Sequence, residues 1–120
     1  IHCEIELVIA NTGNQSFGID VLCNDEGKDG LRIKVNREKN LLEVGDQNGD
    51  FSLNSNEPLR LRIFVDACLV EVFVNEKQLV MADKKRLAGS KINDRIALFS
   101  NESDLLINRL SFWKMKSAYD

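Results

Sequence analysis

The stretch LRLRIFVDACLVEVFVN, from Leu59 to Asn75, decides the fold of this chain. Up to Val65 it alternates apolar and polar residues, and from Val70 onwards every second residue is a valine. A period of two is that of a β-strand with one buried face. Two such runs joined by a short connection predict a β-hairpin whose two aliphatic rows lie in one core, with the other strands layered around it.

The register of this hairpin follows from the parity of its two aliphatic rows. If both rows share a face, Ile63 pairs with Val72, and the connection between the strands holds an even number of residues. Ala67 and Cys68 are poor residues for the positive φ angles of a two-residue turn. The sequence therefore predicts a four-residue loop from Asp66 to Leu69.

The opposite face of the hairpin is the candidate functional surface. It combines arginine, aromatic and acidic side chains, and the residues singled out are Arg62, Phe64, Asp66, Glu71 and Phe73. One interpretation is a solvated face with an Arg62–Glu71 ion pair over the two rings, because opposite charges on adjacent strands commonly pair. The others are a docking face for a second domain and a sugar-binding site. As a catalytic pair the two acids are weak candidates, because strand neighbours on an outer face lack an enclosed pocket.

Composition limits the possible partners. The 120 residues, 43% of them hydrophobic, are enough for a core, so we predict a single domain over residues 1–120. The net charge is −3, with 16 basic and 19 acidic residues spread along the chain, so no nucleic-acid partner is expected. No apolar run approaches the roughly 20 residues of a membrane-spanning helix, so no membrane partner is expected either.

Residue types that carry chemistry are sparse. The three cysteines are too few and too far apart for a disulfide scaffold or a zinc site, and Cys3 and Cys23 fall on the apolar parity of their strands, which predicts buried free thiols. The only histidine, His2, is expected as a solvated side chain, so a Ser–His or Cys–His nucleophilic site is not expected. Trp113 could stack on a sugar ring, but a core position is the commoner fate of an indole.

Six oxygen-bearing residues have the spacing of a twelve-residue calcium loop: Asp46, Asn48, Asp50, Ser52, Asn54 and Glu57. The sixth position of that loop requires glycine for a sharp turn, and here it is Phe51. The flanking residues also alternate as strands rather than forming helices. We therefore expect no metal site, no cofactor and no catalytic residue in this chain.

Alternation elsewhere predicts a chain made almost wholly of strands. Strands are predicted at 1–10, 17–23, 31–35, 41–44, 51–53, 79–82, 95–100 and 105–115, with a turn over 45–50 and the 95–100 strand buried on both faces. About ten short strands with turn signals between them and no window of helical period predict an all-β, antiparallel two-sheet β-sandwich of jelly-roll or concanavalin-like type, with essentially no helix. A closed barrel is the alternative.

The hairpin and its flanks resemble the C-terminal β-sandwich module of glycoside hydrolase family 32, which includes invertases, levanases and inulinases. The signature of that module is an apolar strand, Val-Asp, a short turn and Val-Glu-Val-Phe-Val-Asn, as found at 59–75. The stretch FGIDVLCNDEG at 17–27 and the ending LSFWKMKS at 110–117 are further matches. The chain departs from the family pattern at Ala67 and Cys68, where Arg-Ser is usual.

This resemblance implies a role within a larger protein. In such enzymes an N-terminal β-propeller carries catalysis with an aspartate nucleophile and a glutamate acid/base, and the motifs of that propeller are missing here. The implied identity is a non-catalytic C-terminal module, excised from a larger glycosidase acting on fructans or sucrose, that packs against and stabilises the catalytic β-propeller of the same chain. The alternative is a carbohydrate-binding module for fructan or fructose units. The sequence does not determine the compartment of the parent protein, which could be secreted or periplasmic.

Overall fold

The computed structural model describes residues 2–10, 16–24, 26–54, 57–67, 69–83, 95–100 and 107–114. Within these ranges the chain forms ten strands, and there is no helix that could span a membrane. The strands are β1 His2–Ile9, β2 Phe17–Cys23, β3 Leu31–Asn36, β4 Leu41–Val44, β5 Gln47–Asp50, β6 Leu59–Asp66, β7 Leu69–Val74, β8 Lys77–Asp83, β9 Arg95–Ser100 and β10 Ile107–Lys114.

The strands form two five-stranded antiparallel sheets packed as a sandwich. The first sheet has the order β10-β1-β6-β7-β8 and the second has the order β5-β4-β3-β2-β9. The predicted all-β sandwich is confirmed, and the barrel alternative is wrong because both sheets have edge strands. The connections at 11–14, 84–94 and 101–104, between predicted strands, and Cys68 lie outside the described residues.

The core lies between the sheets and is built from the alternating aliphatic rows. Its side chains are almost fully excluded from solvent, among them Ile5, Leu7, Ile19, Ile33, Leu42, Leu61, Val70 and Val80. Ile63 pairs with Val72, and both are buried, so the predicted register and the common core of the hairpin are confirmed. Cys3 and Cys23 are buried thiols that form no disulfide, as predicted.

Two tight turns flank β7, and the first of them is tighter than predicted. Asp66 pairs with Leu69, so two residues lie between β6 and β7 and the predicted four-residue loop is wrong. Ala67 has a φ of 54°, and the turn into β8 places Asn75 and Glu76 at φ values of 49° and 72°. A left-handed conformation costs a non-glycine residue roughly 1–2 kcal/mol. The right-handed twist of the paired strands nevertheless favours such turns in hairpins.

The segment after β4 is also rearranged relative to the prediction. The turn expected over 45–50 holds only Gly45 and Asp46, and β5 begins at Gln47. Residues 51–53 are described and form no strand, so that prediction is wrong. The residues of β5 are mostly exposed, and an edge strand that buries neither face has no apolar alternation to reveal it.

Strands β9 and β10 are more exposed than predicted. Leu98 is 39% exposed, so a strand at 95–100 buried on both faces is wrong, and Trp113 is 46% exposed rather than in the core. Strands β5 and β8 contact each other at one side of the sandwich, which leaves β9 and β10 as the sheet edges at the other side. An edge strand has a neighbour on one side only, so its apolar residues are less covered.

Close packing on β2 holds β9 in the second sheet. Phe99 lies opposite Gly18, and a Cβ atom at Gly18 would be 2.3 Å from the phenyl ring and 2.2 Å from the carbonyl oxygen of Ile33. The guanidinium carbon of Arg32 lies 4.1 Å from the centroid of the same ring. Arg32 also donates hydrogen bonds of 3.0 and 3.1 Å to Asp20, which raise the pKa of the arginine. Glycine is required here because backbone and ring approach so closely.

Candidate functional site

The predicted site residues lie on the solvent-facing side of the first sheet, which we call the outer face. Strand β6 pairs with β1 on one side and β7 on the other, so side chains line up in rows across three strands. Strand β10 extends these rows beyond β1. The outer face comprises Arg109, Ser111 and Trp113 of β10, Glu4 and Glu6 of β1, Arg62 and Phe64 of β6, and Glu71 and Phe73 of β7.

Arg62 makes the central ionic contacts of the outer face. Its Nη2 donates a hydrogen bond of 2.5 Å to Oε1 of Glu4, and its Nε lies 4.0 Å from Oε2 of Glu6. Arg109 donates a hydrogen bond to Oε1 of Glu6, whose side chain is only 11% exposed. The predicted partner of Arg62 was Glu71 on β7, but the acid placed against the guanidinium is Glu4 on β1. Two acids and two arginines thus balance each other's charge, which a partly buried carboxylate requires.

An aromatic pair lies beside this ionic cluster. The ring centroids of Phe64 and Phe73 are 5.5 Å apart with the rings inclined at 78°, an edge-to-face contact. The guanidinium carbon of Arg62 lies 5.6 Å from the centroid of Phe64, within cation–π range. Both rings are half-buried, so they belong to the outer face and not to the core. Trp113 lies in the same row as Phe64, on the edge strand β10, and Glu4 stands between the two.

Asp66 lies apart from this group, at the turn end of β6. It pairs in register with His2, and Nδ1 of the imidazole is 2.6 Å from Oδ1 of the carboxylate. The His2 side chain is 29% exposed, so it is a contact residue and not the solvated side chain that was expected. The structure therefore brings together Arg62, Phe64, Glu71 and Phe73, and it separates Asp66 from them.

The sequence-based prediction missed the contributions of β1 and β10. Glu4 and Glu6 alternate with the apolar residues of β1, a signal that places both acids on the solvent side of their strand. What the sequence lacked was the identity of the neighbouring strand, because Arg62 and Glu4 are 58 positions apart. A local period assigns each side chain to a face and leaves the order of strands in the sheet undetermined.

The geometry of the outer face fits recognition better than catalysis. General acid–base catalysis needs an acid and a base that both reach a bound substrate. Here the carboxylates of Glu4 and Glu6 are already paired with the guanidinium groups of Arg62 and Arg109. A surface that combines half-buried aromatic rings, an exposed indole and arginine is instead typical of protein interfaces, in which Trp, Phe and Arg are enriched.

Comparison with known proteins decides the family. Residues 1–114 match the family model described as glycosyl hydrolases family 32 C terminal. The chain belongs to this family. The match runs from β1 to β10 and so includes both the central hairpin and the closing strand, which confirms the resemblance seen in the sequence. No sequence among the curated proteins matches the chain at a significant level.

Solved structures agree with this family 32 assignment. An exo-inulinase from Aspergillus awamori is 18% identical, with a TM-score of 0.78, and a sucrose-6-phosphate hydrolase from Lactobacillus gasseri is 25% identical, with a TM-score of 0.66. Each match covers 97% of this chain and 25% of the enzyme. The carbohydrate-binding module CBM66 from Bacillus subtilis has the same fold, at 10% identity and a TM-score of 0.61, with 92% of this chain and 73% of the module covered. The family 32 chain thus corresponds to a quarter of each enzyme.

Proposed function

We propose that residues 1–120 form one non-catalytic sandwich domain, the C-terminal module of a family 32 glycosidase acting on fructans or sucrose, which packs against and stabilises the catalytic β-propeller. The observation that carries the proposal is the coverage of the two enzymes, because three quarters of each lies outside the region that this chain matches. A module attached to a larger domain needs a surface on which to dock.

The outer face is the docking surface that we propose. Its predicted residues Arg62, Phe64, Glu71 and Phe73 are only partly covered within the module. Trp113 adds an indole that is 46% exposed on the same face. Large apolar side chains that stay exposed in a folded domain favour an interface, because burying them against a partner releases water from their surface. Asp66, at the edge of this surface, would contribute at most a peripheral contact.

The docking proposal is tested by Trp113→Ser in the full-length protein and in the 120-residue chain. Loss of a buried indole at a domain interface should lower the melting temperature of the full-length protein by about 4 °C or more, since roughly 1 kcal/mol corresponds to 2–4 °C in a domain of 150–250 residues. The isolated chain should change much less. Phe112→Ser is the matched control, because Phe112 is a neighbouring aromatic on the opposite face and is 37% exposed. Equal effects of Trp113→Ser in both contexts would contradict docking through the outer face.

Carbohydrate binding is the second candidate function. It is favoured by the likeness to the carbohydrate-binding module CBM66, and by the aromatic and ionic side chains of the outer face. Calorimetry of the chain with levan, inulin, sucrose and fructose separates the two functions, because a purely docking module gives no heat of binding. If sugar binds and Glu71→Ala leaves the affinity unchanged, Glu71 has a packing role only.

A further inference from the structure

A cleft on the closed side of the sandwich is the strongest feature that the proposed docking function does not use. It lies where the connection between β5 and β6 faces the turn between β7 and β8, and its volume is about 580 Å³. Sites for small molecules have volumes of roughly 300–1,000 Å³. Its lining includes Asp50, Phe51, Ser52, Glu57, Asn75 and Lys77.

Hydrogen bonds hold both walls of this cleft in place. On one wall the Asn54 amide donates to Oε1 of Glu57 at 3.1 Å, and the Glu57 amide donates to the carbonyl of Asn54 at 3.0 Å. On the other wall Oδ1 of Asn75 accepts from the Arg60 amide at 2.8 Å, and its Nδ2 donates to the carbonyl of Pro58 at 3.3 Å. Walls that are already ordered lower the entropy cost of binding a ligand.

Two charged groups of the cleft are left for a ligand. Both residues are exposed, and within the described part of the chain neither the Asp50 carboxylate nor the Lys77 ammonium makes a hydrogen bond or an ion pair. Half-buried Phe51 and buried Val74 supply apolar surface beside them. The amide of Phe51 donates to the carbonyl of Asn40 at 3.0 Å, which fixes this part of the lining. The cleft therefore offers an acceptor, a donor and an apolar surface in a preformed shape.

The charges and residue types select the class of ligand. Two carboxylates, Asp50 and Glu57, against one ammonium, Lys77, disfavour an anion. No cluster of three or more His, Cys, Asp or Glu suited to a metal ion occurs among the described residues. Sugar hydroxyls both donate and accept hydrogen bonds, and the C–H face of a sugar ring packs on apolar side chains. We propose that this cleft binds a neutral oligosaccharide.

This inference rests on the second candidate function, carbohydrate binding, and is independent of docking. It places the sugar at the cleft and not on the outer face. Among neutral sugars, sucrose and an inulin-type trisaccharide are the first probes, because the solved relatives include an exo-inulinase and a sucrose-6-phosphate hydrolase. Sucrose 6-phosphate is the charged probe.

The test is an amide ¹H–¹⁵N NMR titration of the 120-residue chain with each probe up to about 50 mM, a range that covers millimolar affinities. We expect amide shifts at the cleft residues, with tighter binding of the two neutral sugars than of sucrose 6-phosphate. The double variant Asp50→Ala/Lys77→Met should bind about 10-fold more weakly, because two hydrogen bonds to the sugar are lost.

The matched control is Asp46→Ala/Lys39→Met, which removes the same two charges from exposed positions outside the cleft lining. Its affinity should stay within two-fold of the unaltered chain. Binding lost in the first double variant and kept in the second supports the cleft. Shifts confined to the outer face, no binding of either neutral sugar, tighter binding of the phosphate, or a calcium titration that shifts Asp50 and Glu57 would each overturn it. Failure of Trp113→Ser to affect the full-length protein would bear on docking alone.

Discussion

Leu61 on β6 and Leu110 on β10 stand in the same row of one sheet, yet they differ sharply in burial. Leu7 on β1 pairs with both of them, so the three side chains share one face. Leu61 and Leu7 are fully buried, whereas Leu110 is 41% exposed. The residue type and the parity are the same, and only the position within the sheet differs. Central strands are therefore stabilised by the module itself, whereas the edge strand keeps apolar surface that a partner could cover.

Leucine-to-alanine substitutions in this row give the sharpest test of that difference. Leu61→Ala should lower the free energy of unfolding by about 2–5 kcal/mol, because it leaves a cavity in a packed core. Leu110→Ala should cost about 1 kcal/mol or less, because much of its surface already contacts water. Urea denaturation of the isolated chain measures both. Similar losses for the two variants would mean that the edge strand is as well packed as the centre.

The second comparison is between two ion pairs on strand β6. Arg62 and Glu4 are 2.5 Å apart, with side chains 39% and 18% exposed, whereas Arg60 and Glu76 are 3.8 Å apart and 43% and 72% exposed. In double-mutant cycles with glutamine at each position, the first pair should show a coupling energy of about 0.5–1 kcal/mol. The exposed pair should show about 0.2 kcal/mol or less, because solvent screens it.

Urea denaturation at low and high salt measures these couplings. Added salt should reduce the coupling of the exposed pair towards zero and reduce that of Arg62 and Glu4 less, because salt screens exposed charges most strongly. A coupling between Arg60 and Glu76 equal to that of the central pair would contradict the view that the outer face is organised around Arg62.

The same contrast between centre and edge explains which features of the fold could be predicted from the sequence. The register that pairs Ile63 with Val72 follows from alternation alone, because one face of that hairpin is buried and a one-residue slip would expose it. The pairing of Arg62 with Glu4 was not predictable, because strand order depends on contacts between distant segments. Trp113 was placed wrongly in the core because the usual burial of an indole was preferred to its parity, which it shares with Arg109 and Ser111 of the outer face. The polar strand β5 gave no alternation at all.

The smallest predicted effect concerns the turn between β6 and β7. Ala67 has a φ of 54°, a conformation that glycine adopts without steric cost. Ala67→Gly should therefore raise the free energy of unfolding by about 0.5 kcal/mol, the left-handed strain of roughly 1–2 kcal/mol being offset partly by the greater entropy of glycine in the unfolded chain. Ala97→Gly is the control, because Ala97 lies within β9, where glycine should lower stability by roughly 0.5–1 kcal/mol. Opposite signs in urea denaturation would show that the strain is local to the turn, and a loss of stability in both variants would show that strand twist has already relieved it.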